Sequence, residues 1–325
     1  MKSETRIEGA RSDCNDIFLA INIAPTHSDG LTIKNPVMTA SGTSGFAREY
    51  APVIDLARLG AFVTKTVTPR HRRGNPTPRT IETPSGMLNS IGLPNPGINK
   101  LLEGEGRSWA SLGTPVVVSI AGESVFEFRD LATALEGYPG VSAIEANLSC
   151  PNVENGMEFA TNVDLLTEAI SLILEASSLP LFAKLSPNVT DIRPLAVAAQ
   201  AAGANGLTIM NTVLGMKIDV EGRRPFIGAK FAGLSGPAVR PIGIRLVYEV
   251  WPEVDIPIVG VGGITSTEDA LEYLLAGASA VQIGTSSFVR PTTALEVIDG
   301  IEGHMRQSDL ASVGDFVGMA HAEPA

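Results

Sequence analysis

A repeating unit runs through this sequence and restricts the folds open to it. Each unit has an amphipathic helical segment, a Gly-Ala or similar turn, a short apolar strand and then polar residues, as at 202–211 and 276–284. Runs of β-branched residues that follow proline supply the remaining strands. Eight candidate strands result, at 36–39, 59–65, 115–119, 141–147, 180–184, 202–211, 257–261 and 276–284.

Strands that alternate with helical segments, such as those at 191–202 and 266–276, favour parallel pairing. Eight such units in about 250 residues have the length of a (β/α)8 barrel. A doubly wound sheet is the alternative, but no strand leads into a glycine-rich dinucleotide turn with an acidic residue about 20 positions later. We therefore predict an α/β protein with a single TIM-barrel domain over 21–325, after an N-terminal extension over 1–20.

Two long insertions follow predicted strands, at 67–99 and at 213–241. Long loops inside a compact domain are usually functional. In a parallel barrel, the loops that follow the strands lie on the C-terminal rim, where active sites are built. Both insertions are therefore expected beside the site.

Composition excludes several classes of function. The formal net charge of −11 disfavours binding to nucleic acid or to an anionic membrane surface. No apolar stretch reaches the roughly 20 residues of a spanning helix. Cys14 and Cys150 are too few for a disulfide framework or a multi-cysteine metal site, and the four histidines lie too far apart in sequence for a metal-ligand pattern. We expect a cytoplasmic protein without a metal.

Two lysines end predicted strands, Lys65 and Lys184. An ammonium group at the end of an apolar strand is costly to remove from water unless an anion meets it. Two such groups on one rim indicate an anionic ligand. The alternative is that each lysine pairs with a carboxylate on a strand, such as Glu145.

Glycines follow the last two strands, as Gly262-Gly263 and as Gly284 before Thr285. Backbone N–H groups near a helix N-terminus bind anions, and barrels commonly hold phosphate after strands seven and eight. A tight turn with positive φ would explain one glycine but explains the pair less well. The pattern favours a phosphate site.

Asparagines recur at the predicted rim, as Asn89, Asn147, Asn152 and Asn211. An amide both donates and accepts, so several amides suit a planar heterocycle with N–H and C=O edges, although a single asparagine is usually a turn residue.

Cys150 lies in a loop flanked by proline and asparagine. It is either a general base with a lowered pKa or an inert thiol, and the spacing does not decide between them.

Four stretches with these residues resemble the dihydroorotate dehydrogenase family, flavoproteins built on a (β/α)8 barrel that binds FMN. They are NPVMTASG at 35–42, NSIGL at 89–93, NLSCPN at 147–152 and GGI at 262–264. The resemblance extends from about residue 20 to residue 291. It implies oxidation of (S)-dihydroorotate to orotate in de novo pyrimidine biosynthesis.

Further stretches, at 78–88, 184–191, 211–219 and 233–237, look like the type B, NAD-dependent catalytic subunit. That class works with an electron-transfer subunit that carries FAD and an iron–sulfur cluster. The resemblance therefore implies FMN in this chain, FAD and the cluster only in a partner subunit, and a homodimeric core within a heterotetramer. This chain carries neither a dinucleotide fingerprint nor the four cysteines that a cluster commonly needs.

The resemblance also implies roles for individual residues. Cys150 would be the base that removes the C5 proton while hydride leaves C6. The substrate contacts would be Lys65, Asn89, Ser90, Ile91, Gly92, Leu93, Asn147, Asn152, Asn211 and Thr212. The FMN contacts would be Ser41, Lys65, Thr66, Asn147, Lys184, Met210, Gly236, Gly262, Gly263, Gly284 and Thr285.

Three other functions stay open at this stage. The first is a type A-like homodimer that reduces fumarate directly, and the second is a related dihydropyrimidine dehydrogenase. The third is a barrel that binds a phosphorylated ligand without catalysis, which would leave Lys65, Lys184 and the asparagines unexplained.

Overall fold

A computed structural model describes residues 19–149, 159, 161–308 and 310–322. The strands in this part of the chain are β1 (Ile21–Asn22), β2 (Thr32–Ile33), β3 (Val37–Thr39), β4 (Phe62–Val63), β5 (Thr80–Thr83), β6 (Gly86–Asn89), β7 (Val116–Ile120), β8 (Val141–Asn147), β9 (Leu181–Lys184), β10 (Gly206–Ile209), β11 (Val213–Gly215), β12 (Ile218–Asp219), β13 (Arg224–Pro225), β14 (Ala232–Ser235), β15 (Ile258–Val261) and β16 (Ala278–Ile283). The α-helices are α1 (Ile98–Glu103), α2 (Val125–Leu135), α3 (Val163–Ala176), α4 (Arg193–Ala201), α5 (Arg240–Val250), α6 (Thr267–Leu275), α7 (Ser286–Val289), α8 (Thr293–Gln307) and α9 (Val313–Phe316).

Eight parallel strands form the barrel, in the order β3-β16-β15-β10-β9-β8-β7-β4. A parallel bridge between Met38 and Ala61 joins β3 to the start of β4 and completes the ring. These are the eight strands predicted from the sequence, and the predicted (β/α)8 barrel is confirmed. The predicted boundary at residue 20 stays a prediction, because residues 1–18 lie outside the described part of the chain.

The helices form where the local sequence predicts them, except in the first β/α unit of the barrel. The predicted helical segments become α4 and α6, and α6 begins with a capping box in which Ser266 and Asp269 satisfy each other's backbone N–H groups. Between β3 and β4 the regular structure is a 3₁₀ turn at Leu56–Arg58 in place of an α-helix. The first β/α unit therefore departs from the predicted alternation.

The barrel interior has an apolar end and a polar end. The β1-β2 hairpin lies at the apolar end, where Ile23 and Ile33 pack on Met38, Val117 and Phe182 from the strands. A larger apolar cluster fills the space between the strands and the helices. The polar side chains lie further along the strands, so the structure directs the ligand-binding chemistry to the opposite, C-terminal rim.

The two long insertions form one structure on that rim. The β5-β6 hairpin of the first insertion pairs with β14 of the second, and β14 pairs in turn with β11. Leu88, Ile227 and Ala232 form a small apolar core beneath this antiparallel sheet. The sequence predicts both insertions beside the site, but their pairing with each other is a finding of the structure.

Candidate active site

A buried polar network crosses the barrel interior beneath the rim. Glu145 of β8 accepts hydrogen bonds from Gln282 (2.7 Å) and from Thr208 (3.1 Å), and its other oxygen lies 3.2 Å from Lys184 Nζ. Strands β8 and β16 are four places apart in a ring of eight, so the contact between Glu145 and Gln282 spans the barrel. All four side chains are buried. The network therefore closes the floor of the candidate site.

The two strand-end lysines have different surroundings. Lys184 is paired with Glu145, which is the alternative interpretation from the sequence. Lys65 forms no salt bridge with the described residues. Burial lowers the pKa of the Lys65 ammonium, and the Glu49 carboxylate partly opposes that shift. Lys65 is therefore the cation at the rim that still favours an anionic partner.

A chain of hydroxyl groups lies beside Lys65. Ser41 and Thr66 are 3.0 Å apart between their oxygens, and Thr66 is 2.9 Å from Ser119. Ser119 lies near the end of β7, the third barrel strand along the chain, so the chain of hydroxyl groups reaches from Ser41 to this strand. The structure thus brings together two of the predicted FMN contacts, Ser41 and Thr66.

Two of the predicted asparagines are in direct contact. Asn211 Nδ2 donates to Asn147 Oδ1 at 3.2 Å and to Ser149, while Ser149 donates to Asn147 Oδ1 at 2.7 Å. Asn211 Oδ1 accepts from the backbone N–H of Thr212. These bonds fix both amide planes, and within the described residues the Asn147 Nδ2 group has no acceptor, so it can donate to a ligand.

Asn89 joins this group through the antiparallel sheet on the rim. Its side chain donates to the backbone oxygen of Gly233 at 3.3 Å, and Gly233 packs against Thr212. Asn188, which the sequence analysis did not single out, donates to Thr212 O and accepts from Leu214 N–H. Asn89, Asn211 and Thr212 therefore belong to one connected surface.

The segment from Ser90 to Leu93 is a loop held by one side chain and one backbone carbonyl group of the first insertion. Asn75 donates to Ser90 Oγ at 2.8 Å, and Arg79 O accepts from Ser90 N–H. The backbone turns at Gly92 and Leu93, which have φ values of +76° and +52°. Leucine rarely adopts positive φ, and such strained residues are concentrated at binding sites.

Three loops that carry predicted FMN contacts meet after β14, β15 and β16. Thr285 Oγ1 lies 2.8 Å from Ser235 Oγ, beside Gly236. A Cβ on Gly263 would lie 2.9 Å from Gly236 O, so these two backbones are in close contact. Met210 is buried, with its methyl group against the same loop at Gly262. The structure therefore brings Met210 and the predicted glycines together.

This junction presents unused hydrogen-bond donors. The N–H groups of Gly263, Gly284, Thr285 and Ser286 donate to no group within the described residues, and the buried Ser286 Oγ has no partner there. The N-terminus of α6 itself is different, because the Asp269 carboxylate accepts from Thr265 and Ser266. An anion is therefore favoured at the loop glycines and not at the capped end of α6. Of the two kinds of donor that the sequence suggested for a phosphate, loop glycines and a helix N-terminus, only the loop glycines remain candidates here.

Two predicted site residues, Cys150 and Asn152, lie outside the described residues. Other residues of the site were not predicted as such. Thr208, Gln282 and Tyr273 lie at buried positions of strands or helices, so in the sequence they look like ordinary core residues.

Among the described residues, no cluster of His, Cys, Asp and Glu could hold a metal, and no helix is long and apolar enough to span a membrane.

Comparisons with known proteins agree with this geometry. A family model described as dihydroorotate dehydrogenase matches residues 24–305. The chain is 50% identical over 293 residues to a protein of Desulforudis audaxviator, covering 90% of this chain and 95% of that one. It is 47% identical over 292 residues to one of Desulforamulus reducens, covering 90% and 96%. Both relatives are named dihydroorotate dehydrogenase B (NAD(+)), catalytic subunit.

A solved structure shows the same fold. The dihydroorotate dehydrogenase of Eimeria tenella, in complex with ferulenol, superimposes with a TM-score of 0.79 at 23% identity, covering 96% of this chain and 91% of that one. The family match extends over most of the barrel, from the β1-β2 hairpin to α8. The chain therefore belongs to the dihydroorotate dehydrogenase family.

Proposed function

We propose that this chain is the catalytic subunit of a type B dihydroorotate dehydrogenase, an oxidoreductase that converts (S)-dihydroorotate to orotate in pyrimidine biosynthesis. The observation that carries the proposal is the identity of 43–50% to relatives of that name, over about 90% of the chain for most of them. The polar surface on the rim supports it, since it offers amide groups and the half-buried Lys65 to a ligand that is both planar and anionic.

The residues present fit FMN. The unused N–H groups at Gly263, Gly284 and Thr285, with the unpartnered Ser286 hydroxyl, offer the donors that a phosphate group requires. Ser41, Thr66 and Met210 would line the flavin, together with Gly236. Lys65 and Lys184 would supply positive charge near it. Bound FMN would accept the hydride that leaves C6 of dihydroorotate.

We assign the substrate to the surface formed by Asn89, Asn147, Asn211 and Thr212. Asn147 and Asn211 are held rigid by Ser149 and by each other, so their amides are oriented before the ring binds. The segment Ser90–Leu93 would contact the same ligand. Lys65 would meet the orotate carboxylate, which compensates for the partial burial of its ammonium group.

Cys150 is proposed as the general base. Ser149, the residue before it, belongs to the asparagine cluster at the substrate surface. A thiolate is a stronger base than a neutral thiol, so a lowered pKa would let Cys150 remove the C5 proton near neutral pH. Asn152, two residues later, is proposed as a further substrate contact.

The electrons are proposed to leave through a second subunit that carries FAD and an iron–sulfur cluster, with NAD as the final acceptor. The name of the relatives, a catalytic subunit, implies a separate electron-transfer subunit. We propose a homodimer of this chain as the core of a heterotetramer. The reducing cytoplasm remains the expected compartment, in agreement with the low cysteine content.

The visible absorption spectrum of the purified protein tests the proposal. Yellow protein whose absorption bleaches on anaerobic addition of dihydroorotate, but not of dihydrouracil, is the expected result. Bleaching by dihydrouracil alone would indicate a dihydropyrimidine dehydrogenase. Colourless protein with a phosphorylated non-flavin ligand would overturn the enzyme assignment. Re-oxidation by fumarate without any partner subunit would indicate the type A reaction.

A further inference from the structure

A tyrosine beneath the glycine loop has a role that its position in the sequence does not suggest. Tyr273 lies on α6, is fully buried, and donates a hydrogen bond of 2.8 Å from its hydroxyl to the backbone oxygen of Gly262. Burial raises the pKa of this hydroxyl, so it stays a neutral donor across the pH range of the protein.

Three glycines from neighbouring elements make room for this side chain. A Cβ on Gly243 of α5 would lie 1.9 Å from the Tyr273 hydroxyl, and one on Gly260 of β15 would lie 2.5 Å from the ring. At Gly262 the corresponding distance to the hydroxyl is 3.3 Å. The Tyr273 side chain thus occupies a space between these three residues that side chains larger than glycine would close.

The contact determines the orientation of a single peptide group. Gly262 lies beyond the end of β15, so no strand neighbour fixes its carbonyl. The Gly262–Gly263 peptide is trans and planar, so its N–H points away from its C=O. Holding the Gly262 oxygen toward Tyr273 therefore directs the Gly263 N–H away from α6. That N–H is one of the unused donors at the loop junction.

The helix holds the loop at two points on one face. Asp269 and Tyr273 are four residues apart on α6 and therefore adjacent on its surface. Asp269 accepts from Thr265 and Ser266, while Tyr273 donates to Gly262. Asp269 also pairs with Arg240 at the start of α5. The loop from Gly262 to Ser266 is thereby fixed at both of its ends.

We propose that Tyr273 is a positioning residue for the phosphate of the flavin: its hydroxyl orients the Gly262–Gly263 peptide so that the Gly263 N–H donates to that group. This inference rests on the proposed function, because it assumes that the loop glycines hold the phosphate of FMN. It assigns no direct contact between Tyr273 and the cofactor.

The test compares two flavins that differ only by the phosphate. Dissociation constants of FMN and riboflavin are measured by flavin fluorescence on the flavin-depleted full chain. We expect Tyr273→Phe to weaken FMN binding roughly three- to tenfold, the effect of one hydrogen bond, and to leave riboflavin binding unchanged. Tyr138→Phe is the matched control, since Tyr138 donates to Leu102 O at 2.5 Å within the helical layer.

A second variant approaches the contact from the other side. Gly243→Ala would push the Tyr273 hydroxyl from its place without altering the tyrosine, so it should reproduce the FMN-specific loss. Equal losses for FMN and riboflavin in both variants, or no loss in either, would overturn the role of Tyr273. A wild-type protein that binds riboflavin as tightly as FMN would instead overturn the phosphate site of the proposed function, and the role of Tyr273 with it.

Discussion

Gln282 donates a hydrogen bond of 2.7 Å to the Glu145 carboxylate from the opposite side of the barrel, and the same carboxylate pairs with Lys184. A carboxylate that is 1% exposed is thereby satisfied by three side chains. Buried ionic groups of this kind are costly to separate, because removal of one leaves the other charge without compensation. The floor of the site is therefore expected to tolerate paired changes better than single ones.

Glu145→Gln should lower the free energy of unfolding by about 3 kcal/mol, because Lys184 keeps its charge in a buried position without a counterion. The double variant Glu145→Gln with Lys184→Met should regain most of that loss. Urea denaturation measures both. Glu249→Gln, which breaks the exposed pair with Arg245, is the control and should cost about 0.5 kcal/mol or less. A double variant no more stable than the single one would contradict the expectation.

Lys65→Met should stabilise the ligand-free protein at pH 7 by about 2 °C in Tm while abolishing substrate oxidation. Burial lowers the pKa of Lys65, so the folded chain holds this proton less tightly than the unfolded chain does. The charge therefore opposes folding below the folded-state pKa, and that cost disappears as the pH rises toward the ordinary value of 10.5.

Thermal melts of Lys65→Met and wild type between pH 7 and pH 10.5 test whether the Lys65 charge opposes folding. The difference should be largest at pH 7 and shrink as the pH rises. Lys100→Met removes an exposed lysine and is the control, with no comparable gain. A Lys65→Met protein that melts at or below wild type at pH 7 would show that the ammonium is well compensated by its surroundings.

Cys150→Ser should reduce the turnover of dihydroorotate near neutral pH by roughly 100-fold or more, because a serine hydroxyl does not ionise there and general-base catalysis is lost. The FMN content of the protein, measured by absorption, should not change. Cys14→Ser is the matched control and should retain full activity. Turnover in the Cys150→Ser protein equal to wild type would remove Cys150 from the role of base.

Gly233→Ala should raise KM for dihydroorotate roughly tenfold, with the flavin spectrum unchanged. The added Cβ would lie 2.0 Å from Thr212 Oγ1, so Thr212 or the strand beside Asn89 must move. Steady-state kinetics measure the effect. Gly303→Ala is the control, since its Cβ meets nothing within 4 Å on helix α8, and it should stabilise the protein by about 0.5–1 kcal/mol. An unaltered KM in Gly233→Ala would separate Thr212 from the substrate.

The barrel could be predicted from sequence because its signals are local. A run such as Val116–Ile120 and a capped helix such as Thr267–Leu275 are each legible within a dozen residues. The antiparallel sheet on the rim could not be predicted in the same way. Its β6-β14 register pairs Asn89 with Gly233, which are far apart in the sequence, and no local pattern specifies that contact.

The residues of the candidate site also fall into two groups, those that a local sequence signal identifies and those that have no such signal. Strand-end residues such as Lys65 and Asn211 could be identified because their polarity contrasts with the strands that they follow. Tyr273 could not, because an apolar-faced helix tolerates a tyrosine wherever an aromatic ring fits. Only the position of its hydroxyl against Gly262 O separates it from a residue of the core.

The backbone pairing of the two insertions implies that they are mechanically coupled. A displacement of the β5-β6 hairpin must be transmitted to β14, which ends at Ser235, and from there to Gly236. Engineering that exchanges the hairpin alone would leave β14 with an unmatched edge. A transplant of substrate preference between members of this family would therefore need to carry both segments together.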